Sequence, residues 1–386
     1  MQKVYILLTE SLKNREKQGL LRKLYPIKER RGCKIIVNNK EYIDFSSNDY
    51  LGLSNHPQII NAAKEAVNRY GTGACASRLL SGSFEIHHKL EEEVARFKQK
   101  EKALIFNSGY QANLGILSAL LSRDDCVFSD RLNHASIIDG IILSQAKIIR
   151  FKHNDTDNLK SLLEKQRKKY KKALIITETI FSMDGDRAPL KELIELKKRY
   201  DCIIMVDEAH ATGIFGENGS GIVEQEGISD EIDIIMGTFS KALGCFGAYC
   251  TSDKKMIEYL INTARSFIYS TSLPPAVIAS NLKAIEIIRN EKFRRETLLK
   301  NSEFFKDNLK DLGLKVRGSS QIIPLIIGDN NKTIKIAARL QRQGYFVLPI
   351  RYPTVPKNES RLRFSMTFNH SKEVIINLLD SLRKFV

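Results

Sequence analysis

Short apolar runs recur along this chain, and segments long enough to form helices separate most of them. Several runs have the length of buried strands; they are Ala103–Phe106, Cys126–Ser129, Lys147–Phe151, Ala173–Thr177, Cys202–Val206, Asp233–Met236 and Gly247–Thr251. Leu90, Val94 and Phe97 share one face of the helical pattern that precedes the first run. Strands that alternate with amphipathic helices predict a mostly parallel sheet covered on both faces. The chain is therefore predicted to have an α/β fold.

The pattern changes after Pro275. A long, charged helical pattern runs from about Ala276 to Leu312. It is followed by strand candidates and by a final helix whose apolar face includes Leu378 and Leu382; the candidates are Ile322–Ile327, Gly344–Ile350 and Arg361–Thr367. The first 45 residues predict a helix and a small hairpin, Cys33–Val37 with Tyr42–Phe45. We therefore expect an N-terminal segment (1–45), a large domain (46–275) and a smaller α/β domain (276–386).

Basic residues outnumber acidic ones, 61 against 45, which gives the 386-residue chain a formal net charge of +16. Such a charge allows a nucleic-acid-binding protein. However, no aromatic residues are interleaved with the basic ones in the manner of a single-strand binding surface. The densest basic run, Lys165–Lys172, is expected to be the solvated end of a helix. We expect no nucleic-acid partner, although a basic surface would still attract an acidic substrate.

The six cysteines form no CxxC pair and have no metal-like spacing with histidine, so we expect reduced thiols, no metal site and a cytoplasmic protein. Met1–Glu10 lacks the small-residue cleavage site of a signal peptide. No apolar stretch reaches the roughly 18 residues typical of a membrane span, so no membrane association is expected.

Polar side chains follow several predicted strands at the point where each strand ends. The carboxyl ends of parallel strands meet at one edge of a sheet, where α/β proteins commonly bind their ligands. The residues expected at this edge are Ser108, Gly109, Tyr110, Ser182, Asp207, His210, Thr238, Ser240 and Lys241.

Pyridoxal phosphate is the cofactor that needs this set of side chains. A lysine forms a Schiff base with its aldehyde, and a carboxylate keeps its pyridine nitrogen protonated. Hydroxyls and the amides of a helix N-terminus hold its phosphate. Lys241 and Asp207 are the candidates for the first two roles, and Ser108 and Gly109 open a helical pattern. Alone, Lys241 would be an ordinary surface lysine and Asp207 an ordinary helix cap.

Five motifs carry a resemblance to a known family: Phe45–Pro57, Asp130–Ser136, Thr177–Asp186, Val206–His210 and Thr238–Ala242. They resemble the α-oxoamine synthases, which are pyridoxal-phosphate-dependent enzymes with the aspartate-aminotransferase fold. The resemblance covers nearly the whole chain and keeps the order and spacing of the motifs. It implies a large domain with a mostly parallel seven-stranded sheet and a smaller C-terminal α/β domain.

The resemblance also implies roles for individual residues. His134 would stack on the pyridine ring and act in catalysis beside Asp207 and Lys241. His210 would hydrogen-bond the phenolic oxygen of the cofactor, with Ser182 nearby. Thr238 would contact the phosphate. The family's sites form between two subunits, so we expect a homodimer, with Thr271 and the loop from Gly71 to Gly82 as contributions from the partner.

Within the family, Tyr25-Pro26, Ser46–Leu53 and Arg351–Pro356 most resemble the branch that condenses L-alanine with a pimeloyl thioester in biotin synthesis. The thioester would be pimeloyl-CoA or a pimeloyl carrier protein. The candidate substrate-binding residues are Arg22, Asn48, Arg351, Thr354 and Arg363, of which Arg351 and Arg363 are both candidates for the alanine carboxylate. Glycine C-acetyltransferase and other members, which use a different amino acid and acyl-CoA, remain alternatives.

Cys75 departs from the family pattern, because relatives usually have glycine at this position of the loop. If that glycine has a positive φ, a side chain here strains the backbone or forces it to shift. The departure bears on acyl-chain preference and leaves the reaction class unaffected.

Overall fold

The protein is described from a computed structural model, which covers residues 2–384. Its α-helices are α1 Gln2–Lys17, α2 Pro57–Tyr70, α3 Glu85–Phe97, α4 Gly109–Leu120, α5 Ala135–Ser144, α6 Thr156–Gln166, α7 Leu190–Arg199, α8 Ile222–Glu226, α9 Lys254–Thr263, α10 Arg265–Ile268, α11 Pro275–Asn290, α12 Lys292–Asp311, α13 Asn330–Arg342 and α14 Lys372–Arg383. Within the described range, no helix is both long enough and apolar enough to cross a membrane.

Among residues 2–384, the strands form three sheets. They are β1 Ile27–Arg31, β2 Lys34–Val37, β3 Lys40–Asp44, β4 Lys102–Phe106, β5 Cys126–Asp130, β6 Lys147–Phe151, β7 Ala173–Glu178, β8 Ile203–Asp207, β9 Ile234–Thr238, β10 Ala248–Ser252, β11 Ile322–Gly328, β12 Tyr345–Phe346, β13 Pro349–Ile350 and β14 Ser360–Ser365. The chain divides into two compact units. The large unit comprises Asn48–Ser182 and Asp186–Thr297, and the terminal unit comprises the residues up to Ser47, Met183–Gly185 and the residues from Leu298.

A seven-stranded sheet is the centre of the large unit, in the order β4-β10-β9-β8-β7-β5-β6. Only β10 runs against its neighbours β4 and β9. The prediction of a mostly parallel seven-stranded sheet is therefore confirmed. Every residue of β5, β7 and β9 is buried. Because consecutive strand residues point to opposite faces, helices must cover both faces of the sheet.

One face of the sheet packs against α4, α5, α9 and α10. Ile116 and Leu117 of α4, Ile137 of α5 and Leu260 of α9 are fully buried in one apolar cluster with strand residues such as Met205. Full burial of a side chain of this size contributes about 1.5–3 kcal/mol. This packing fixes the start of α4 and of α5 relative to the strand ends, and those two helix starts carry predicted site residues.

The terminal unit contains two small sheets, ordered β1-β2-β3-β12 and β11-β14-β13. The expected strand Gly344–Ile350 is wrong as a single element, because β12 pairs with β3 while β13 pairs with β14. Proline lacks the amide proton that a continuing ladder needs, so a new strand can begin at Pro349. The expected N-terminal hairpin also gains a third strand, β1, which pairs with β2.

The boundary between the units differs from the expected divisions 1–45, 46–275 and 276–386. The expected long helix is two helices, α11 and α12, which are separated by Glu291, whose backbone is not helical. The helix α11 packs against α2 and α3, so it belongs to the large unit. The N-terminal residues up to Ser47 belong to the same unit as the C-terminal part of the chain.

Cys75 adopts the left-handed conformation, with a φ of 59°, and its side chain is exposed. A non-glycine residue in this region costs roughly 1–2 kcal/mol. Replacement by glycine removes this cost, but the larger chain entropy of glycine in the unfolded state offsets part of the gain. We expect Cys75→Gly to raise the free energy of unfolding by about 0.5–1 kcal/mol, measured by urea denaturation. Cys75→Ala keeps the Cβ atom and should give no such gain; an equal gain in both variants would contradict backbone strain as the cause.

Candidate active site

Asp207 is the last residue of β8, and its carboxylate is buried at the carboxyl edge of the sheet. Its Oδ2 accepts a hydrogen bond from Nδ2 of Asn113 at 3.0 Å, and its Oδ1 accepts one from the amide of Ala209 at 2.9 Å. A buried carboxylate is tolerated only when such donors compensate for lost hydration. The two donors hold Asp207 in a fixed orientation at the strand end.

A chain of hydrogen bonds connects Asp207 with His134, the residue before α5. Asn113 also donates to Oγ of Ser136 at 3.0 Å, which leaves the Ser136 hydroxyl proton for Nδ1 of His134, 2.8 Å away. The Ser136 amide also donates to this Nδ1. Since Nδ1 accepts, the imidazole proton lies on Nε2. Loss of hydration lowers the pKa of His134 despite the opposing charge of Asp207, which favours the neutral ring.

Glu178 ends β7 and lies opposite Asp207 in the strand register. Its side chain is buried, and its Oε2 accepts from the amide of Ser182 at 3.2 Å. Burial, followed by the negative charge of Asp207, raises the pKa of Glu178 to about 8. Two carboxyl groups at neighbouring strand ends cannot both ionise cheaply, so Glu178 is the one that keeps its proton at neutral pH.

His210 follows the same strand end and is buried beside Tyr50. The Tyr50 hydroxyl lies 2.8 Å from Nδ1 of His210 and donates to Oδ1 of Asn48 at 3.0 Å. This connects two predicted residues, His210 and Asn48, through a tyrosine that the sequence analysis had not assigned to the site.

The N-terminus of α4 is the candidate site for an anion. Ser108 caps the helix, with its Oγ accepting from the amide of Gln111 at 3.2 Å. A Cβ atom on Gly109 would lie 3.0 Å from Cε of Met236, so a larger residue here would require the methionine side chain to shift by a few tenths of an ångström. Free amides and the helix dipole favour a phosphate at such an end.

Thr238 ends β9, and Ser240 and Lys241 follow it in the next loop. Oγ1 of Thr238 donates to the carbonyl of Gly247 at 2.7 Å and accepts from the amide of Ser240 at 3.1 Å. Ser240 is exposed. Lys241 follows in the same loop and is half-buried. Its positive charge lowers the pKa of both His134 and Glu178, so the Lys241 ammonium is within electrostatic range of both groups.

Tyr110 and Thr271 lie at the edge of this arrangement. The Tyr110 hydroxyl donates to Asp139 of α5, and its ring is partly exposed. Thr271 is exposed and pairs with Ser77 through a backbone bridge. Its carbonyl accepts from Nδ2 of Asn107, the residue before the cap of α4, at 2.8 Å.

The remaining predicted residues belong to the terminal unit. Nη2 of Arg22 donates to Oγ1 of Thr354 at 3.2 Å, and Arg351 donates to the carbonyl of Gly19. Burial, and then the charge of Arg22, lowers the pKa of Arg351. Arg363 is buried on β14, where Nη1 contacts Oγ of Ser365 at 2.5 Å.

Comparison with known proteins identifies the family. Residues 40–382 match the model for aminotransferase class I and II. The chain belongs to this family. The 8-amino-7-oxononanoate synthase of Geotalea daltonii is 47% identical over 366 residues, which are 94% of this chain and 93% of that protein.

Solved structures of the aminotransferase class I and II fold agree with this assignment. A serine palmitoyltransferase from S. paucimobilis with bound PLP and myriocin has a TM-score of 0.94 and 30% identity, covering 100% of this chain and 98% of that one. An 8-amino-7-oxononanoate synthase from Francisella tularensis has a TM-score of 0.78 and 32% identity, covering 89% and 97%. The predicted fold and resemblance are confirmed.

Four residues of this arrangement were not predicted: Tyr50, Asn113, Ser136 and Glu178. Glu178 carried the same signal as Asp207, an acid directly after an apolar run. Asn113 and Ser136 are polar residues within the apolar segments that form α4 and α5, which is a weaker signal. Tyr50 carried no signal of its own, because a buried tyrosine is ordinarily part of a core.

Replacing Glu178 with glutamine is expected to remove part of the pH dependence of stability. The pKa of about 8 in the folded protein exceeds the ordinary value of 4.5, so the folded state binds more protons between these values and its stability falls as pH rises through them. Glutamine keeps the shape of the neutral acid and does not titrate. Relative to wild type, Glu178→Gln should therefore gain stability from pH 5 to pH 8, measured by urea unfolding without added cofactor.

The exposed Glu65 of α2 offers a matched control. Glu65→Gln should keep a constant stability difference from wild type over the same range. If Glu178→Gln also gave a constant difference, Glu178 would not be the group that holds the buried proton.

Proposed function

We propose that this protein is a pyridoxal-phosphate-dependent enzyme that condenses L-alanine with a pimeloyl thioester to give 8-amino-7-oxononanoate, CO2 and a free thiol. This reaction belongs to biotin biosynthesis. The observation that carries the substrate assignment is the 47% identity with relatives named 8-amino-7-oxononanoate synthase over 94% of the chain. Pimeloyl-CoA and a pimeloyl carrier protein both remain candidates for the acyl donor.

The chemistry of the donor set fits pyridoxal phosphate. A buried carboxylate, Asp207, suits a protonated pyridine nitrogen, and the open N-terminus of α4 with its cap Ser108 suits a phosphate. A half-buried lysine, Lys241, lies near both His134 and Glu178. When bound, the cofactor would supply an electron sink for negative charge that develops on the amino-acid Cα atom.

Each residue then has a distinct task. Lys241 would bind the cofactor aldehyde through Nζ and, once released, move the proton of the Cα atom. Asp207 would hold the proton on the pyridine nitrogen. His134 would lie flat on the ring with its Nε2 proton directed to a substrate carbonyl, and His210 would hydrogen-bond the phenolic oxygen with Ser182 nearby.

Substrate contacts are assigned to arginines, because a guanidinium is always charged and binds a carboxylate with two parallel hydrogen bonds. Arg351 or Arg363 would bind the alanine carboxylate. Arg22 and Thr354, which are hydrogen-bonded to each other, would contact the acyl substrate. Asn48 would contact the amino-acid substrate from its position beside Tyr50 and His210.

Asp207→Asn is expected to keep the cofactor bound and to lose activity by on the order of 10²-fold or more. An amide cannot hold the positive charge of the pyridine nitrogen, so the electron sink weakens while the phosphate contacts remain. The measurements are kcat with saturating alanine and the cofactor content by absorbance. Asp201→Asn, an exposed change just before β8, is the control and should turn over normally. Near-normal turnover of Asp207→Asn would refute the assigned role.

A second function is favoured by one observation. Serine palmitoyltransferase structures give TM-scores up to 0.94, above the 0.78 of the Francisella tularensis synthase. An enzyme that joins serine to a long acyl-CoA is therefore the main alternative, with glycine C-acetyltransferase as another. Identity favours the first proposal, since it reaches 47% with the synthases of biotin biosynthesis and 30% with the palmitoyltransferase.

A substrate screen decides between these functions. Alanine, glycine and serine would each be tested with pimeloyl-CoA, a pimeloyl carrier protein, acetyl-CoA and palmitoyl-CoA, with thiol release as the readout. We expect the highest kcat/KM for alanine with a pimeloyl donor and no turnover by Lys241→Ala. Glycine lacks one methyl group, worth only about 1–3 kcal/mol, so slower turnover with glycine is consistent with the proposal. Faster turnover of serine with palmitoyl-CoA would overturn it.

We further propose a homodimer in which Thr271 completes the phosphate site of the partner subunit. A phosphate dianion needs more donors than one helix end and one hydroxyl supply. Exposed apolar side chains flank the segments concerned: Leu80 is 79% and Tyr269 73% exposed. Such side chains are typical of a surface that another chain covers.

Mixing of inactive subunits tests this arrangement. Lys241→Ala subunits and Thr271→Ala subunits should each have low activity alone and recover part of it when mixed after mild dissociation. Each mixed dimer rebuilds one intact site from the two wild-type residues. A fully active monomer in sedimentation velocity would exclude the shared site.

A further inference from the structure

His153, which follows β6, lies between two carboxylates from different parts of the large unit. Its Nδ1 is 3.1 Å from Oδ1 and 3.2 Å from Oδ2 of Asp130, and its Nε2 is 2.8 Å from Oδ2 of Asp186. A carboxylate only accepts hydrogen bonds, so both ring nitrogens must donate. An imidazole that donates from both nitrogens is the cation. The geometry therefore describes an imidazolium held on both sides.

Asp130 connects this cation with the turn that leads to His134. Asp130 is the last residue of β5; its Oδ1 accepts from the amide of Leu132 at 2.8 Å and its Oδ2 from the amide of Asn154 at 2.9 Å. The amide of Asn133 donates to the Asp130 carbonyl at 3.2 Å, and His134 follows directly. The carboxylate thus determines the course of the chain before α5.

Asp186 connects the same cation with the loop that carries Ser182. The Asp186 carbonyl accepts from the amide of Phe181 at 3.1 Å, and the Phe181 ring packs edge-on against the imidazole with centroids 4.4 Å apart. Asn154 supports this contact, since its Nδ2 donates to Oδ2 of Asp186 at 3.1 Å. Ser182 is the next residue after Phe181, so the contacts of His153 fix the base of its loop.

We propose that His153 is a positioning residue, whose two ring nitrogens join the turn that presents His134 to the loop that presents Ser182 and so hold the cofactor-facing side chains together. This inference rests on the proposed function, because His134 and Ser182 are taken as the side chains that contact the ring and its phenolic oxygen. His153 itself touches neither cofactor nor substrate in this role.

The ionisation of His153 gives the proposal a pH dependence. Burial alone would lower the pKa of His153, but hydrogen bonds to Asp130 and Asp186 outweigh it and raise the pKa to about 9. The charged groups that face the ring are these two carboxylates, from β5 and from the loop after β7. A folded pKa above the unfolded value near 6.5 gives a stabilisation that is complete below about pH 6.5 and is lost as pH rises through about 9.

The test measures release of pyridoxal phosphate from the diluted holoenzyme, followed by cofactor absorbance and fluorescence between pH 6.5 and 10. We expect wild type to release the cofactor faster as pH rises through about 9. His153→Gln should release it on the order of tenfold faster at pH 7, because charge-assisted hydrogen bonds are lost, and should show no transition near pH 9. His153→Arg keeps a cation at all these pH values, and should retain slow release up to pH 10.

His88, an exposed histidine of α3, provides the matched control. His88→Gln should keep the wild-type rate and the wild-type transition. If His153→Gln also keeps the wild-type rate and transition of cofactor release, the role of His153 is refuted. A purely structural role would instead change the thermal stability without removing the transition in cofactor release. A wild-type protein that takes up no pyridoxal phosphate would instead defeat the proposed function, and the two failures are therefore distinguishable.

Discussion

The buried carboxylate of Asp207 determines the character of the residues around it. Removing a charge from water is costly unless donors replace the lost hydration. One donor is the amide of Ala209 and the other is Asn113, a polar side chain on the buried face of α4. The helix that supplies this donor also begins at Gly109, so the expected phosphate end and the expected ring-nitrogen end of the site depend on one rigid element. A shift of α4 against the sheet would disturb both at once, and the buried apolar contacts of the helix oppose such a shift.

Burial, more than the charge of this carboxylate, determines the protonation of its neighbours. Glu178 lies opposite Asp207 at the adjacent strand end and keeps its proton because of its own burial and, after that, repulsion by the Asp207 carboxylate. Asn113 also orders Ser136, whose hydroxyl and amide both donate to Nδ1 of His134 and so place the ring proton on Nε2. A neutral acid, an anion and a neutral imidazole thus coexist within one network, without any of them being an unpaired buried charge.

The sequence was sufficient to predict the large sheet, because each strand is a short apolar run whose burial does not depend on particular residues elsewhere in the chain. The run Lys147–Phe151, for example, coincides with β6. Residues at the strand ends were found by the same logic. Partners such as Asn113 were missed because their roles depend on which helix face meets which strand end, and no local pattern encodes that. His153 was missed for a similar reason, as one of its carboxylates comes from the end of β5 and the other from the loop after β7. The expected division after Pro275 differs from the observed units, because the position of α11 depends on its packing against α2 and α3.

Glu208 shows why two adjacent acids at the end of β8 are compatible with one buried strand end. Because successive side chains of a strand point to opposite faces, the side chains of Asp207 and Glu208 lie on opposite sides of the sheet. Glu208 is fully buried, away from the network of Asp207. Its Oε2 accepts from Nζ of Lys98 at 2.7 Å and its Oε1 from the amide of Val223 at 3.0 Å. Burial would lower the pKa of Lys98, but the charge of Glu208 outweighs it and raises that pKa, so the pair remains ionic. Removing one partner of such a pair costs about 3–5 kcal/mol, because the other charge stays buried. The pair therefore fixes the backbone that follows β8, and the positions of both Asp207 and His210 depend on it.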